Sequence, residues 1–320
     1  MVFFGKIVAA IFAWGAYAVL RLVGWKRKTV LANAKHVAGA FSTASNATPD
    51  ASVATRNASN AAPIDYDELL INLTRHAGEL LFCFGIFKKL PHDFSAYPCC
   101  VDGWTFDIAE GAAPVLEKMR SGGIFLTAHY GNYEAMGPWL CCLGIPLVAS
   151  YIPVKPKWLN NILERKIRAV DGRNYSVDAQ TPRDFLRILN EGNLFCLLAD
   201  QDSRIPSALP GTFLGRPANV NPLPDFLLKH RPQTPVFICW MEEVCGVRVL
   251  HAIEVERAQV ADSAQFESAS PSHLASPAQS SPSVVNTQFN GWLEERIAEN
   301  PNLWYGFTHR RFYSQSPTIY

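Results

Sequence analysis

A histidine and a glutamate five positions apart, His129 and Glu134, have the residue types and spacing that best suit acid–base chemistry. His129 follows an apolar run at residues 124–128, and Glu134 lies near the start of an amphipathic segment. With His129 in a turn and Glu134 in the first helical turn, the side chains can meet, and Gly131 allows the sharp bend. A carboxylate on one imidazole nitrogen raises the basicity of the other, which can then deprotonate a hydroxyl. The alternative is a loop histidine that caps backbone groups, beside an ordinary acid favoured by the helix dipole.

Two further carboxylates, Asp200 and Asp202, follow a second apolar run at residues 194–199. Such side chains can orient a sugar, hold a cation or pair with arginine. The Asp-x-Asp spacing also occurs in metal sites for nucleotide sugars. A turn closed by aspartate hydrogen bonds explains the same pattern equally well.

Basic residues cluster after a third apolar run, at residues 147–152, and again near the C-terminus. Arginine suits phosphate and carboxylate because its planar guanidinium presents two parallel donors. A solvated helix face is the simpler explanation for any one of them. The residues concerned are Arg165, Lys166, Arg168, Arg173 and the run His309, Arg310, Arg311 and Phe312.

Short apolar runs alternate with amphipathic segments along the chain, which predicts an α/β fold with a mixed, mostly parallel sheet flanked by helices. In such sheets, ligands bind beyond the carboxyl ends of the strands, which is where His129 and Asp200 fall. The predicted strands are residues 124–128, 147–152, 194–199 and 236–240, and the predicted helices are residues 110–120, 133–143, 158–170, 182–190 and 224–230.

Length and composition predict one main domain, at residues 65–320, because 320 residues with 48% hydrophobic content can bury a substantial core. The formal net charge of +1 provides no global field to attract nucleic acid, so no nucleic-acid partner is expected. The 8 cysteines lack the paired short spacings of a zinc site and are interpreted as small buried apolar residues.

The N-terminus carries an apolar run at residues 7–20 between Lys6 and Arg21. Residues 1–28 are therefore expected to form a membrane anchor or an interfacial helix, although the run is short for a span of about 20 residues. The basic residues at 26–28 favour the cytoplasmic side and anionic headgroups. A signal peptide and a buried core helix are the alternatives.

Two stretches are too poor in large apolar residues to predict packed structure. Residues 29–64 are expected to be a linker, with a run of small and polar residues at 40–63. Residues 258–283 are rich in Ser, Ala, Pro and Gln and are expected to be an insertion within the domain.

Residues 122–134, with the sequence GGIFLTAHYGNYE, resemble the signature block of the bacterial lipid A biosynthesis (late, Kdo-dependent) acyltransferases, in the lysophospholipid-acyltransferase-like superfamily. Residues 198–202, 212–218 and 309–312 are similar to that family's later blocks and come in the same order. The resemblance covers roughly residues 65–315, and the N-terminal apolar helix is in the family's usual place.

The resemblance implies an inner-membrane enzyme whose catalytic domain faces the cytoplasm. It would transfer an acyl group from acyl carrier protein or coenzyme A to a hydroxyl of a membrane glycolipid such as a lipid A precursor, with no metal or cofactor. Carried over by position, His129 is the base, Glu134 is its partner, and Arg168 and Asp200 match further polar site residues. The other residues expected to bind substrate or an oxyanion are Gly131, Asn132, Asp202 and Arg310.

Three other functions remain open at this point. Asp200 and Asp202 with a divalent cation would suit a metal-dependent glycosyltransferase, and the same fold without turnover would be a membrane lipid-binding protein. Hydrolysis of acyl esters is the third. Relatives in the same broad group acylate other glycolipids, including mannosylated phosphoinositides, so the acceptor is left open as well.

Overall fold

A computed structural model describes residues 2–44, 63–151, 153, 155–178, 181–257 and 284–320. Within these ranges the α-helices are α1 (Val2–Leu22), α2 (Arg27–Ala44), α3 (Tyr66–Cys83), α4 (Ala112–Met119), α5 (Tyr133–Cys142), α6 (Lys157–Ile162), α7 (Pro182–Asn190), α8 (Leu223–His230) and α9 (Val284–Glu299). The strands are β1 (Cys99–Val101), β2 (Trp104–Ile108), β3 (Gly123–Thr127), β4 (Leu147–Ser150), β5 (Ala169–Val170), β6 (Arg173–Asn174), β7 (Ser176–Val177), β8 (Leu194–Leu198), β9 (Leu209–Phe213), β10 (Arg216–Val220), β11 (Val236–Val244) and β12 (Val247–Glu254).

Eight of these strands form one sheet in the order β1-β2-β12-β11-β3-β8-β4-β7. Pairing is antiparallel only for β1 with β2 and for β11 with β12, so the sheet is mixed and mostly parallel. The predicted α/β fold class is therefore confirmed. Strands β9 and β10 form a separate antiparallel hairpin.

The central strand β3 shows why helices cover both faces of the sheet. All five of its residues are buried. Ile124 and Leu126 pack in one hydrophobic cluster and Phe125 in the other, as expected when successive side chains point to opposite faces. A strand buried on both sides has a continuous apolar sequence, which is the pattern that identified it.

Strands β3 and β8 are parallel neighbours, and their register decides the geometry beyond their carboxyl ends. Thr127 lies opposite Leu198, the last residue of β8. His129 and Asp200 come two residues after Thr127 and Leu198, and the same register places them side by side.

The predicted strands at 124–128, 194–199 and 236–240 correspond to β3, β8 and β11, and four predicted helices correspond to α4, α5, α7 and α8. The helix predicted at 158–170 is wrong in its second half. A π-helical turn follows α6 at Leu163–Ile167, and the chain then enters β5. The strand predicted at 147–152 ends at Ser150, and residue 152 lies outside the described residues.

The linker predicted at residues 29–64 is wrong for its first part, because residues 29–44 belong to helix α2. Val30, Asn33 and Val37, at a spacing of three and four residues, are almost fully buried and give this helix a packed face. Small side chains elsewhere in α2 concealed that pattern. Residues 45–62 of the predicted linker and the insertion at 258–283 lie outside the described residues.

Helix α1 packs antiparallel along α3, and the contact depends on glycine at Gly78. A Cβ atom there would lie 2.6 Å from the carbonyl oxygen of Ala9, a backbone atom that cannot rotate away. We expect Gly78→Ala to lower the free energy of unfolding by about 1 kcal/mol or more, since overpacking costs about 1–3 kcal/mol and exceeds the gain in helix propensity. Thermal unfolding of the purified protein measures the change.

Gly291→Ala in α9 is the matched control, because a Cβ atom at Gly291 meets nothing within 4 Å. This second substitution should stabilise the protein by up to about 1 kcal/mol. An equal gain from Gly78→Ala would contradict the close packing of α1 on α3.

Candidate functional site

The imidazole of His129 and the carboxylate of Asp200 form a directly hydrogen-bonded pair at the carboxyl ends of β3 and β8. His129 Nδ1 lies 2.8 Å from Asp200 Oδ1. The backbone N–H of His129 also donates to Asp200 Oδ2, at 3.1 Å. One carboxylate thus fixes both the backbone and the ring of His129.

Asp200 is fully buried but well supplied with donors. The indole Nε1 of Trp304 donates to its Oδ2 at 2.8 Å. Burial disfavours the charged form, yet the charge and hydrogen bond of His129 and the Trp304 hydrogen bond lower the pKa of Asp200 to about 2. Asp200 is therefore a carboxylate at neutral pH.

An ionised carboxylate only accepts hydrogen bonds, so His129 Nδ1 must carry the ring proton. This leaves a lone pair on Nε2, the nitrogen that faces the side-chain amide of Gln201 at 3.4 Å. Burial lowers the pKa of His129, but the Asp200 charge and hydrogen bond outweigh it, and the pKa is raised overall. About 16% of the His129 side chain is exposed, whereas that of Asp200 is not exposed at all. The pair thus presents one basic nitrogen toward solvent.

Glu134 does not act as the imidazole's hydrogen-bonding partner, which corrects the expectation drawn from its spacing. Its carboxylate pairs with Arg168, with Nη2 donating to Oε1 at 2.5 Å and Nε to Oε2 at 3.3 Å. This two-bond contact between full charges is stronger than a carboxylate–imidazole bond would be. Asp200 already occupies His129 Nδ1, and Glu134 influences His129 only through its charge.

Of the basic residues clustered at 165–173 in the sequence, Arg168 is the one that the fold brings to this site. Its position directly after the π-helical turn directs it toward α5, whereas Arg165 is exposed and Arg173 bonds to Asn193. Burial opposes its charge, but Glu134 raises the pKa of the guanidinium overall. Its Nη1 is buried and has no hydrogen-bond partner among the described residues. Arg168 thus retains an unused cationic donor.

The backbone amides of Tyr130 and Gly131, two other possible oxyanion donors, are already engaged. Gly131 N–H donates to the carbonyl of Leu303 at 2.9 Å, and Tyr130 N–H donates to Ala128 at 2.7 Å. Gly131 has a φ of +58°, and a Cβ atom there would lie 2.9 Å from the carbonyl oxygen of Met241. The residue is therefore needed for the sharp bend, and its amide is not free to bind a ligand.

Asn132, Asp202 and Arg310 make structural contacts rather than lining the base. The buried Asn132 amide donates to Glu79 at 3.0 Å. Asp202 accepts from Ser314 and pairs with Arg204, which ties the loop after β8 to the C-terminal segment. The exposed Arg310 lies over the rings of Tyr313 and Tyr320.

The segment around Trp304 contacts both Asp200 and the loop that carries His129. Trp304 forms an isolated antiparallel bridge with Tyr130, and Tyr305 N–H donates to the carbonyl of His129 at 2.8 Å. Helix α2 in turn fixes this segment, because the fully buried Asn33 amide donates to the carbonyls of Phe307 at 2.8 Å and His309 at 2.7 Å. The base therefore depends on contacts that reach back to residue 33.

Sequence reasoning did not identify Trp304, Gln201, Tyr133 or His309 as neighbours of the base. The rings of Tyr133 and His309 lie 5.0 Å and 5.7 Å from that of His129. Gln201 could have been predicted from the sequence, since it directly follows Asp200 at the end of β8. Trp304 carried no local signal, because its role depends on a contact 104 residues away in the chain.

In the described ranges, no group of three or more His, Cys, Asp or Glu side chains is arranged to hold a metal ion. No protein-family model matches the chain, and no curated protein matches it either.

Proposed function

We propose that the protein transfers a fatty acyl group from an acyl thioester, carried by acyl carrier protein or coenzyme A, to a hydroxyl of a membrane glycolipid such as a lipid A precursor. The observation that carries the proposal is the Asp200–His129 pair, which leaves Nε2 basic beyond the carboxyl ends of β3 and β8. The resemblance of residues 122–134 to the late lipid A acyltransferases supports the same chemistry. Asp200 takes the role that the spacing first suggested for Glu134.

In the first step, the acceptor oxygen attacks the thioester carbonyl carbon while its proton passes to His129 Nε2. The proton on Nδ1 remains in its hydrogen bond to Asp200, whose negative charge stabilises the imidazolium that forms. General-base assistance of this kind contributes roughly 10²- to 10⁴-fold to rate.

The carbonyl oxygen then carries negative charge, and Arg168 is the donor best suited to stabilise it. Its Nη1 is buried and unbonded among the described residues, while Glu134 holds the rest of the guanidinium in place. Donors fixed in advance at a developing oxyanion are worth about 3–4 kcal/mol each. When the C–S bond breaks, the thiolate leaves and takes up the proton held by His129, which restores the neutral imidazole.

Residues Phe4–Leu22 of α1 are long and apolar enough to cross a membrane. Phe4, Ile11, Trp14 and Leu22 are each more than 60% exposed, so α1 presents an apolar surface to its surroundings. This surface supports attachment to a bilayer, which we propose is the inner membrane, with the catalytic domain in the cytoplasm.

The packing of α1 on α3 favours a helix that lies in the plane of the membrane surface. Contacts between the two helices run from Gly5, near Phe82, to the salt bridge of Arg21 with Asp67 at 2.8 Å. A perpendicular span would carry the charged side chains of α3 to the depth of the hydrocarbon, which is costly. An in-plane helix leaves α3 in the headgroup region and immerses only the exposed face of α1.

We do not propose metal-dependent sugar transfer, because the two carboxylates it would use have other partners. Asp200 accepts from His129 and Trp304, and Asp202 is bound by Ser314 and Arg204. Neither carboxylate is presented toward an open site as a cation ligand would be.

The test is an acyl-transfer assay with the purified full chain in detergent, using a radiolabelled acyl thioester and a panel of hydroxylated glycolipids. We expect label to move to a glycolipid at the same rate before and after exhaustive chelation. Loss of transfer on chelation would contradict the proposal in favour of a metal-dependent reaction.

A second arm separates transfer from hydrolysis. Omission of the acceptor should suppress thioester consumption, because a transferase turns over only when an acceptor hydroxyl is present. Release of free fatty acid at an equal rate without acceptor would identify a hydrolase instead, and binding of glycolipid without consumption of any thioester would identify a lipid-binding protein.

A further inference from the structure

A cavity of about 380 Å³ lies between the N-terminal helix and the edge of the sheet, away from the His129 site. Helix α1 contributes Lys6 and the small residues Ala9 and Ala13, and α3 contributes Arg75. The remaining wall comes from the starts of β2 and β12, with Arg248 the residue that matters most for charge.

Three cations converge on this cavity from three different elements. Lys6 Nζ donates to the carbonyl of Gly103 at 2.9 Å and lies 5.3 Å from the centre of the Trp104 ring. The guanidinium of Arg248 packs on the same ring at 3.5 Å, and 10% of its side chain is exposed. The third cation is Arg75, which is partly exposed.

Two carboxylates hold the arginines but leave an excess of positive charge. Glu79 contacts Arg248 at 3.0 Å and Arg75 at 3.7 Å, and Glu243 contacts Arg75 at 2.7 Å and Arg248 at 3.6 Å. Lys6 has no carboxylate within salt-bridge distance among the described residues. Three cations against two carboxylates leave a net charge of +1, which one singly charged anion would neutralise.

The excess of positive charge does not extend to the neighbouring cavity, which has a volume of about 300 Å³. It shares Arg75, Glu79 and Arg248 with the first cavity, but its remaining charged lining is acidic. Glu68, Glu242 and Glu243 join the shared Glu79, so this cavity has four carboxylates and two arginines. His76, which also lines it, has a pKa lowered by burial and by the nearby arginines and stays neutral. An anion would therefore favour the cavity beside Lys6.

Exposed apolar residues of α1 lie close in the chain to Lys6, which lines the cavity. Phe4 and Ile7, which flank Lys6 in the chain, are 71% and 41% exposed. A lipid whose acyl chains lie against these two side chains would bring its headgroup to the Lys6 ammonium. Arginine and lysine together are well suited to phosphate oxygens.

We propose that this cavity binds the phosphate group of an anionic membrane lipid, in addition to the lipid acceptor at the catalytic site. The proposal rests on the membrane-surface position of α1 and does not depend on acyl transfer. Binding there would fix the orientation of α1, α3 and the edge of the sheet relative to the bilayer.

The test measures the midpoint of thermal unfolding of the full chain in a neutral detergent during titration with short-chain phosphatidylglycerol. A ligand that binds only the folded protein stabilises it by RT ln(1 + L/Kd), where L is the ligand concentration, so the midpoint rises with ligand concentration and rises earlier for a tighter ligand. We expect a rise with phosphatidylglycerol, and a much smaller one with phosphatidylcholine or with inorganic phosphate at the same concentrations. Lys6→Ala should raise the phosphatidylglycerol concentration needed for a given rise in the midpoint by roughly five- to tenfold.

Lys229→Ala is the matched control, because it removes the same charge from an exposed site on α8, which does not line this cavity. It should leave the titration unchanged. Ala13→Leu, which narrows the cavity without altering charge, should weaken binding as Lys6→Ala does. The proposal is overturned if phosphatidylglycerol produces no rise, if Lys229→Ala weakens binding as much as Lys6→Ala, or if inorganic phosphate matches the lipid. None of these readouts involves turnover, so they are independent of the acyl-transfer assay.

Discussion

Replacement of His129 by alanine is expected to lower kcat for acyl transfer by roughly 10²- to 10⁴-fold, the contribution of a positioned general base. Asp200 orients this side chain by its hydrogen bond to Nδ1, which leaves Nε2 to act as the base. Its removal leaves the thioester and the acceptor bound but without a proton acceptor. Because binding groups are unchanged, KM for either substrate should move by less than about tenfold. Steady-state assays with the purified variant measure both constants.

His309→Ala is the matched control for this substitution. The ring of His309 lies 5.7 Å from that of His129, so it is the alternative imidazole at this site. Burial and the charge of His129 lower the pKa of His309, which makes it the weaker base. We expect its loss to change kcat by less than about tenfold. Retention of full activity in His129→Ala, or an equal loss in His309→Ala, would show that His129 is not the base.

Replacement of Asp200 by asparagine should lower kcat by about 10²- to 10⁴-fold while preserving the shape of the side chain. An amide cannot stabilise the imidazolium, and its NH₂ group can force the imidazole into the wrong tautomer. The pH profile provides a second readout. The carboxylate raises the pKa of His129 against the opposing effect of burial, so without it the pKa should fall. Activity of a base is lost as pH falls through its pKa, so the acid limb of kcat/KM should move to lower pH in the variant.

Asp202→Asn serves as the control, since it removes an equal charge two residues away, from a side chain bound by Arg204 and Ser314. It should leave the acid limb where it is in the natural protein. Circular dichroism spectra would verify that both variants are folded. An unchanged acid limb in Asp200→Asn, with normal kcat, would contradict the role of the pair.

Much of the sheet was predictable because its central strands are buried on both faces and therefore have continuous apolar sequences. β3, β8 and β11 belong to this group. β2 and β12 lie nearer an edge of the sheet and carry charged residues such as Asp107 and Arg248, so their sequences lack that pattern. The N-terminal part of α2 was missed for a related reason, since its packed face consists of Val30, Asn33 and Val37 among small side chains.

The positions of His129 and Asp200 on one rim were predictable from the ends of their strands, but their pairing was not. Which strands are neighbours, and in what register, is decided by long-range contacts that a single sequence does not reveal. Spacing along the chain instead favoured Glu134, the nearest carboxylate. Glu134 turned out to pair with Arg168, which lies 34 residues away in the chain, because opposite full charges provide the stronger contact.

The amide of Asn33 has a consequence for how membrane attachment and activity are related. It binds the carbonyls of Phe307 and His309, in the same short segment whose Tyr305 N–H holds the carbonyl of His129. A truncated chain that began after α2 would therefore lose more than its attachment to lipid. It would also lack the Asn33 hydrogen bonds that support the segment next to His129, even in free solution. Solubility gained by trimming the N-terminus would come together with a loosened catalytic loop.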